Sequence, residues 1–331
     1  MDGFKSSDNI MLLRTGLEGR GYTAKTIIID QVTHVAFEKE GSTTWLTTAS
    51  PALSYPVTHN AIRQISRNKS MANDFVHQLG YRVPQSIIYN KDKDMTEAKQ
   101  LLDRVGKVIV KPEYGSLSRG VTLDITNEEM LQRAIDNVYV TDYGNVVIQE
   151  QMYGDEIRFA LIDGHLVGAL LRQTPRIIGD GKSTIKDLIE QENTSRRNLT
   201  NTAEPYPELN ATMIAMNAQL LENNDIPVDG QMIEVGRGVM LRNGASMYNV
   251  TDDIHASYAT IVEDIAKNLG AKFVVIDMLL SEYTEPANAN YAFLEFNTSP
   301  ALNLFYSCRD GNHIDIVPHL VELVDRTLSQ K

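Results

Sequence analysis

The spacing of apolar positions changes repeatedly along this chain, and each change predicts an element. Residues 25–30 carry the continuous apolar run Ile27-Ile28-Ile29 ending at Asp30, the pattern of a strand in a parallel sheet. Residues 32–37 and 45–48 read as further strands, with Gly41-Ser42 as the turn between them. Residues 1 to about 65 therefore read as a small α/β unit. From Asn60 the spacing turns helical. Ile62, Ile65, Met71, Phe75, Val76 and Leu79 recur near i, i+3, i+4, with a break across 67–69 and Gly80 as the residue after the helix. A strand is predicted at 83–89, entered through Pro84. An amphipathic helix capped by Thr96 and closed by Gly106 follows, then a strand at 107–111. Thr126-Asn127-Glu128-Glu129 opens another helix with a capping-box pattern.

Residues 146–150 form a buried-looking strand. Strands at 157–162 and 166–171 come next, joined at Asp163-Gly164-His165, a strong hairpin signal. Residues 176–231 are polar and irregular, with helices predicted at 185–191 and 211–222. A helix at 254–269 closed by Gly270, a strand at 273–277 ending in an acid, a strand at 291–297 and a helix at 314–328 complete the pattern. There is no internal repeat and no low-complexity tract.

Composition narrows the classes. The 331 residues are enough for two or three packed layers, and 42% apolar with 22% charged residues is a globular balance. A net charge of −12 gives a nucleic-acid partner little electrostatic support. The lone Cys308 excludes an internal disulfide and a cysteine-based zinc site, and reads as structural. No segment approaches the roughly 18 apolar residues of a membrane span. The N-terminus lacks the apolar core of a secretory signal. The expected setting is the cytoplasm, with no membrane partner.

Two segments far apart suggest shared chemistry. Val108-Ile109-Val110-Lys111-Pro112 delivers a lysine beside the stretch 115–120, where Gly115 and Gly120 flank Ser116 and Ser118. Such a lysine ends in solvent or meets an anion, and glycines let backbone N–H groups approach phosphate oxygens. Neither a Walker loop nor a GxGxxG fingerprint is present. In the second segment, Glu295 and Asn297 lie at i and i+2, so alternation places Tyr291, Phe293, Glu295 and Asn297 on one face. A carboxylate amid Phe293, Leu294 and Phe296 is costly to bury without a cation, and magnesium suits carboxylate and amide oxygens. Asp277 either completes that set or caps a turn. Gln149 to Glu156 reads as a polar linker or as a segment that meets an adenine edge, with Glu156 placed to accept from ribose hydroxyls. Arg158 and Arg172, on the two hairpin arms, suit a phosphate or carboxylate, or a surface ion pair.

In order and spacing, residues 68 to 307 resemble the ATP-grasp carboxylate–amine ligases, and most closely the ATP-grasp module of cyanophycin synthetase and of bifunctional glutathione synthetases. The resemblance rests on Val110-Lys111-Pro112, Arg119-Gly120-Val121-Thr122-Leu123, Gly154 to Arg158, Gly179-Asp180-Gly181-Lys182-Ser183-Thr184-Ile185, Val250-Thr251-Asp252-Asp253-Ile254-His255, Ile276-Asp277, and Glu295-Phe296-Asn297-Thr298-Ser299-Pro300. It implies an α/β (α+β) ATP-grasp fold of three subdomains, 1–65, 66–148 and 149–331, the last with the inserted segment 176–231. ATP is expected between the central and C-terminal ones. The resemblance gives Lys69 and Lys111 the phosphates and makes Ser116, Ser118 and Gly120 part of the loop over them. It gives Gln149, Glu150 and Met152 the adenine hinge, Glu156 the ribose, and Arg158 and Arg172 the transferring phosphate. Asp277, Glu295 and Asn297 take two magnesium ions, with manganese as an alternative.

The implied reaction joins a carboxylate to an amine of amino acids or short peptides through an acyl phosphate. A kinase for a small hydroxyl compound, or a nucleotide-binding protein without turnover, are the alternatives, and a homo-oligomer is left open. The sequence departs from the pattern at Ser118, where relatives often carry glycine, at Gln149, where they often carry an acid, and at Met240-Leu241-Arg242-Asn243-Gly244-Ala245, near the acyl acceptor.

Overall fold

The computed structural model describes residues 9–48, 54–92, 94–114, 120–141, 144–200, 202, 205–209, 225–236, 238–287 and 291–329. Ser116, Ser118 and the helix predicted at 211–222 lie outside them.

Helix α1 (Asn9–Glu18) leads into an antiparallel meander of β1 (Thr23–Ile29), β2 (Val32–Lys39) and β3 (Ser42–Thr48). Both turns are two residues long with positive φ, Asp30-Gln31 at 47° and 62° and Glu40-Gly41 at 53° and 78°. This is the primed-turn geometry that matches strand twist. The expectation of a parallel-type strand at 25–30 is therefore wrong. β1 pairs antiparallel with β2 at the sheet edge, and Ile28 is 72% exposed. A continuous apolar run does not distinguish a doubly covered strand from an edge strand. Burial is carried instead by β2 and β3, where Phe37 stacks on Trp45 with ring centroids 5.0 Å apart.

Helices α2 (Asn60–Arg67) and α3 (Lys69–Gln78) meet at the expected break. Asn68 caps α3, accepting from Met71 N–H at 2.9 Å. A four-stranded antiparallel sheet follows, in the order β4 (Ser86–Tyr89), β7 (Val146–Glu150), β5 (Val108–Pro112), β6 (Thr122–Ile125). Helices α4 (Thr96–Val105) and α5 (Glu128–Thr141) cover it, burying Leu101, Leu102, Leu131 and Ile135 against Val108, Val110 and Ile148. Thr96 does not cap α4. It is the first helical residue, and its N–H donates to Asp94 at 2.9 Å.

A five-stranded antiparallel sheet runs β12 (Ser246–Asn249), β9 (His165–Gln173), β8 (Asp155–Ile162), β13 (Phe273–Leu280), β14 (Tyr291–Asn297). The β8–β9 hairpin turns at Asp163-Gly164, both with positive φ, as expected from the sequence. A two-stranded ribbon of β10 (Arg176–Ile178) and β11 (Met232–Glu234) and helix α6 (Ile185–Arg197) branch off after β9. Helix α7 (Ala256–Leu269) packs on one face of the large sheet together with α2 and α3, burying Tyr258, Val262, Ala72 and Val76 against Ile157, Phe159 and Ile276. Helix α8 (Val317–Ser329), α1 and the meander share a second core with Ala160, Leu170, Phe273 and Val275. At Gly16 the α1–α8 contact is so close that a Cβ would lie 2.6 Å from Val321 Cγ2.

Candidate nucleotide and metal site

Strand register assembles a ladder of charges on one face of the five-stranded sheet. Arg158 lies opposite Asp277, and Asp277 lies opposite Glu295. One step along, Glu156 lies opposite Arg172. Side chains directly opposite in an antiparallel pair share a face. Asn297, two residues beyond Glu295, joins them.

A bulge in β14 corrects the simple alternation. The register passes from Asp277–Glu295 to Met278–Phe293, leaving Leu294 unpaired. Phe293 thus turns away from Glu295 and enters the core with Phe296. Asp277 also differs from expectation. It lies inside β13, which continues to Leu280, and is neither a strand end nor a turn cap.

The ladder is tightly bonded. Arg158 is 7% and Asp277 2% exposed, and they form a two-pronged pair, Nε to Oδ1 at 2.8 Å and Nη2 to Oδ2 at 2.7 Å. Arg172 Nη1 donates to Glu156 Oε1 at 2.5 Å and to Asp277 Oδ2 at 3.3 Å. Burial raises the Asp277 carboxyl, but the two guanidiniums outweigh it and hold the group below its usual range. For Glu156 burial wins, with repulsion from Asp277 and Glu295 added and Arg172 and Arg158 opposing, and its carboxyl is raised. Arg172 Nε is buried and has no hydrogen-bond partner among the described residues, a donor that suits an anion.

The second half of the site comes from the four-stranded sheet and α3. Lys111 lies within β5 and is half-buried; it is not a strand-end surface lysine. Its ammonium donates to Gln149 Oε1 at 2.7 Å across the β5–β7 pair. Burial lowers Lys111 to about 8, repulsion from Lys69 adds to this, and Glu295 opposes it. Lys69, the first residue of α3, is lowered by burial and likewise feels Glu295. Helix and strand thus bring two lysines and a metal-type carboxylate within electrostatic reach of one another.

The remaining predicted residues fall around this centre. Gln149 and Glu150 belong to β7, so the crossing segment is shorter than expected, Gln151 to Gly154. Glu150 turns its carboxylate to Gln85 N–H at 3.1 Å and to Arg82 at 3.8 Å. The Met152 sulfur lies 3.9 Å from Arg82 Nη2. Gly154 has φ 144°, and a Cβ there would lie 2.5 Å from Leu280 O, so only glycine lets the crossing pass the end of β13. Gly120, two residues before β6, has φ 70°. The segment 240–245 forms a 3-10 turn at Leu241–Asn243, and Arg172 Nη2 donates to Val239 O at 3.3 Å, bringing its start to the ladder.

For a hard divalent cation the donor chemistry fits, since Asp277, Glu295 and Asn297 offer oxygen alone. Among the described residues no three His, Cys, Asp or Glu side chains group as a metal site by themselves. Two buried contacts near the site have no signal in the sequence pattern: Glu113 with Asn68, and Asn9 with the segment after Asn297. Each joins residues far apart in the chain.

No family model matches the chain. A bifunctional glutathione biosynthesis protein of Clostridium perfringens is 27% identical over 248 residues, covering 72% of this chain and 31% of that protein. Its counterpart in Streptococcus mutans is 24% identical over 255 residues, covering 74% and 33%. The crystal structure of a bifunctional glutathione synthetase from Pasteurella multocida superposes with a TM-score of 0.65 over 98% of this chain and 44% of that chain, at 16% identity. The chain has the ATP-grasp fold. In this ATP-grasp chain, β5, β7 and the crossing segment carry residues expected at the nucleotide, and β13 and β14 carry those expected at the metal. The chain spans about a third of the length of the curated relatives it matches.

Proposed function

We propose that this protein is an ATP-dependent ligase that joins a carboxylate to an amine of an amino acid or short peptide. The observation that carries the reading is the placing of Lys69, at the start of the α3 that packs with β14, and of Lys111 on β5, both of which feel the charge of Glu295. The nucleotide sits between the two sheets, which makes the divisions at 66 and 149 functional boundaries. Lys69 and Lys111 hold the phosphates, Gln149, Glu150 and Met152 border the adenine, and Glu156 accepts from the ribose. The substrate carboxylate oxygen attacks the γ-phosphorus, the bond to the β-phosphate oxygen breaks, and ADP leaves. The amine then attacks the acyl carbon and expels phosphate. Arg172, whose Nε–H has no partner among the described residues, and Arg158 steady the charge on the transferring group. Asp277, Glu295 and Asn297 would hold two magnesium ions, or manganese in their place, which supply neutralisation of phosphate charge when bound.

The acceptor enters beside the turn at Leu241–Asn243. The substrates are small molecules and not nucleic acid. The reading is of a cytoplasmic enzyme, and no helix among the described residues is long and apolar enough to cross a membrane.

Release of ADP with pooled amino acids and peptides, followed by mass spectrometry, tests the reading. An amide product is expected. A phosphorylated product without an amide would point to a kinase, and no ADP release with any pool would count against both. Glu295→Gln should abolish ADP release while leaving the circular dichroism spectrum unchanged. Wild-type turnover in that variant would overturn the metal assignment.

A further inference from the structure

Asn68, Glu113 and Asn145 form a buried polar junction where three parts of the chain meet. Asn68 precedes Lys69 and caps α3. Glu113 follows Lys111 by two residues, and Asn145 immediately precedes β7. Glu113 is 5% exposed and Asn68 8%. Asn68 Nδ2 donates to Glu113 Oε1 at 3.1 Å and to Tyr114 Oη at 3.0 Å, while its Oδ1 accepts from Met71 N–H. Asn145 Nδ2 donates to Glu113 Oε2 at 2.8 Å, and the Glu113 N–H donates to Asn145 O at 2.9 Å. Both carboxylate oxygens thus take neutral amide donors.

Burying a carboxylate is expensive, and amide donors offset only part of that cost. What the contact accomplishes is geometric. α3 shares its core with the five-stranded sheet, where Ala72 and Val76 pack beside Phe293 and Phe296, whereas Glu113 immediately follows the strand that carries Lys111. The Asn68–Glu113 bond therefore ties the phosphate sheet to the metal sheet, one residue from the first lysine and two from the second. Lys69 and Lys111 repel each other, with Glu295 opposing, and a tie between their elements helps fix the separation at which they can share one polyphosphate.

We propose that Glu113 is a positioning residue that sets the separation of Lys69 and Lys111 through Asn68, so that triphosphate binding depends on it and nucleoside binding does not. The inference rests on the ATP reading above.

The test uses binding of Mg-ATP and of adenosine to the full chain by calorimetry. Asn68→Asp keeps an oxygen to cap α3 but turns a donor into an anion facing Glu113. It should weaken Mg-ATP by about tenfold or more and leave adenosine unchanged. Glu113→Ala should do the same. In the double variant Asn68→Asp with Glu113→Gln, the new amide can donate to the new carboxylate and still accept from Asn145, so Mg-ATP affinity should recover most of the loss. Equal loss of ATP and adenosine affinity, or no recovery in the double variant, would overturn the positioning role. Unchanged ATP affinity in both single variants would do so too. Failure of the wild-type chain to bind Mg-ATP would overturn the ATP reading itself and this inference with it.

Discussion

Lys111 shows how the site sets the charge state of a single residue. Its partner is the neutral amide of Gln149, at the position where the resembled family often carries an acid. Burial and the repulsion from Lys69 outweigh the pull of Glu295, so the ammonium is lowered to about 8. A bound polyphosphate favours the protonated form and raises that value. Binding therefore takes up a proton above about pH 8, and Mg-ATP affinity should fall as pH rises through 8, by up to about tenfold per pH unit. Calorimetric dissociation constants on either side of that value would check this. Gln149→Glu should move the fall to higher pH, and a flat profile in the wild type would contradict the mechanism.

Among the elements, the crossing from β7 to β8 is where the two halves of the site are joined. Gly154 carries that crossing past Leu280 in a backbone conformation unsuited to other residues. Gly154→Ala would force the new methyl against the Leu280 carbonyl and should cost about 3 kcal/mol of stability. Urea unfolding of the purified variant measures this, and a loss under about 1 kcal/mol would show that the crossing can shift. The elements legible from the sequence are those whose signals are local. The Asp163-Gly164 hairpin, the α2–α3 break and the glycine after α4 all follow from residues adjacent in the chain. The bulge at Leu294 and the edge position of β1 are not local, because each is set by how whole strands pair and pack.

For the whole molecule, the N-terminal meander and α1 are built onto the half that carries the metal-type residues. Asn9 is 3% exposed, and its side chain donates to Pro300 O at 3.0 Å and accepts from Leu302 N–H at 2.7 Å. The first described helix is thereby fixed to the segment that follows Asn297. Asn9→Ala would strand two buried backbone groups and should destabilise the fold by about 2 kcal/mol. A thermal melt would show it, and an unchanged midpoint would mean that the groups find other partners.

Side-chain period and backbone preference at single positions were enough to read the longer elements, the hairpin and the residue types at the site, but not α1 or the short strands β6, β10, β11 and β12. They also placed Lys111, Asp277, Glu295 and Asn297 on strands. Which face each residue meets, and what it is paired with, came from the folded molecule. Asp277 is locked to Arg158, Lys111 is matched to an amide, and Glu113 joins two sheets, since register, bulges and burial arise only when distant strands come together.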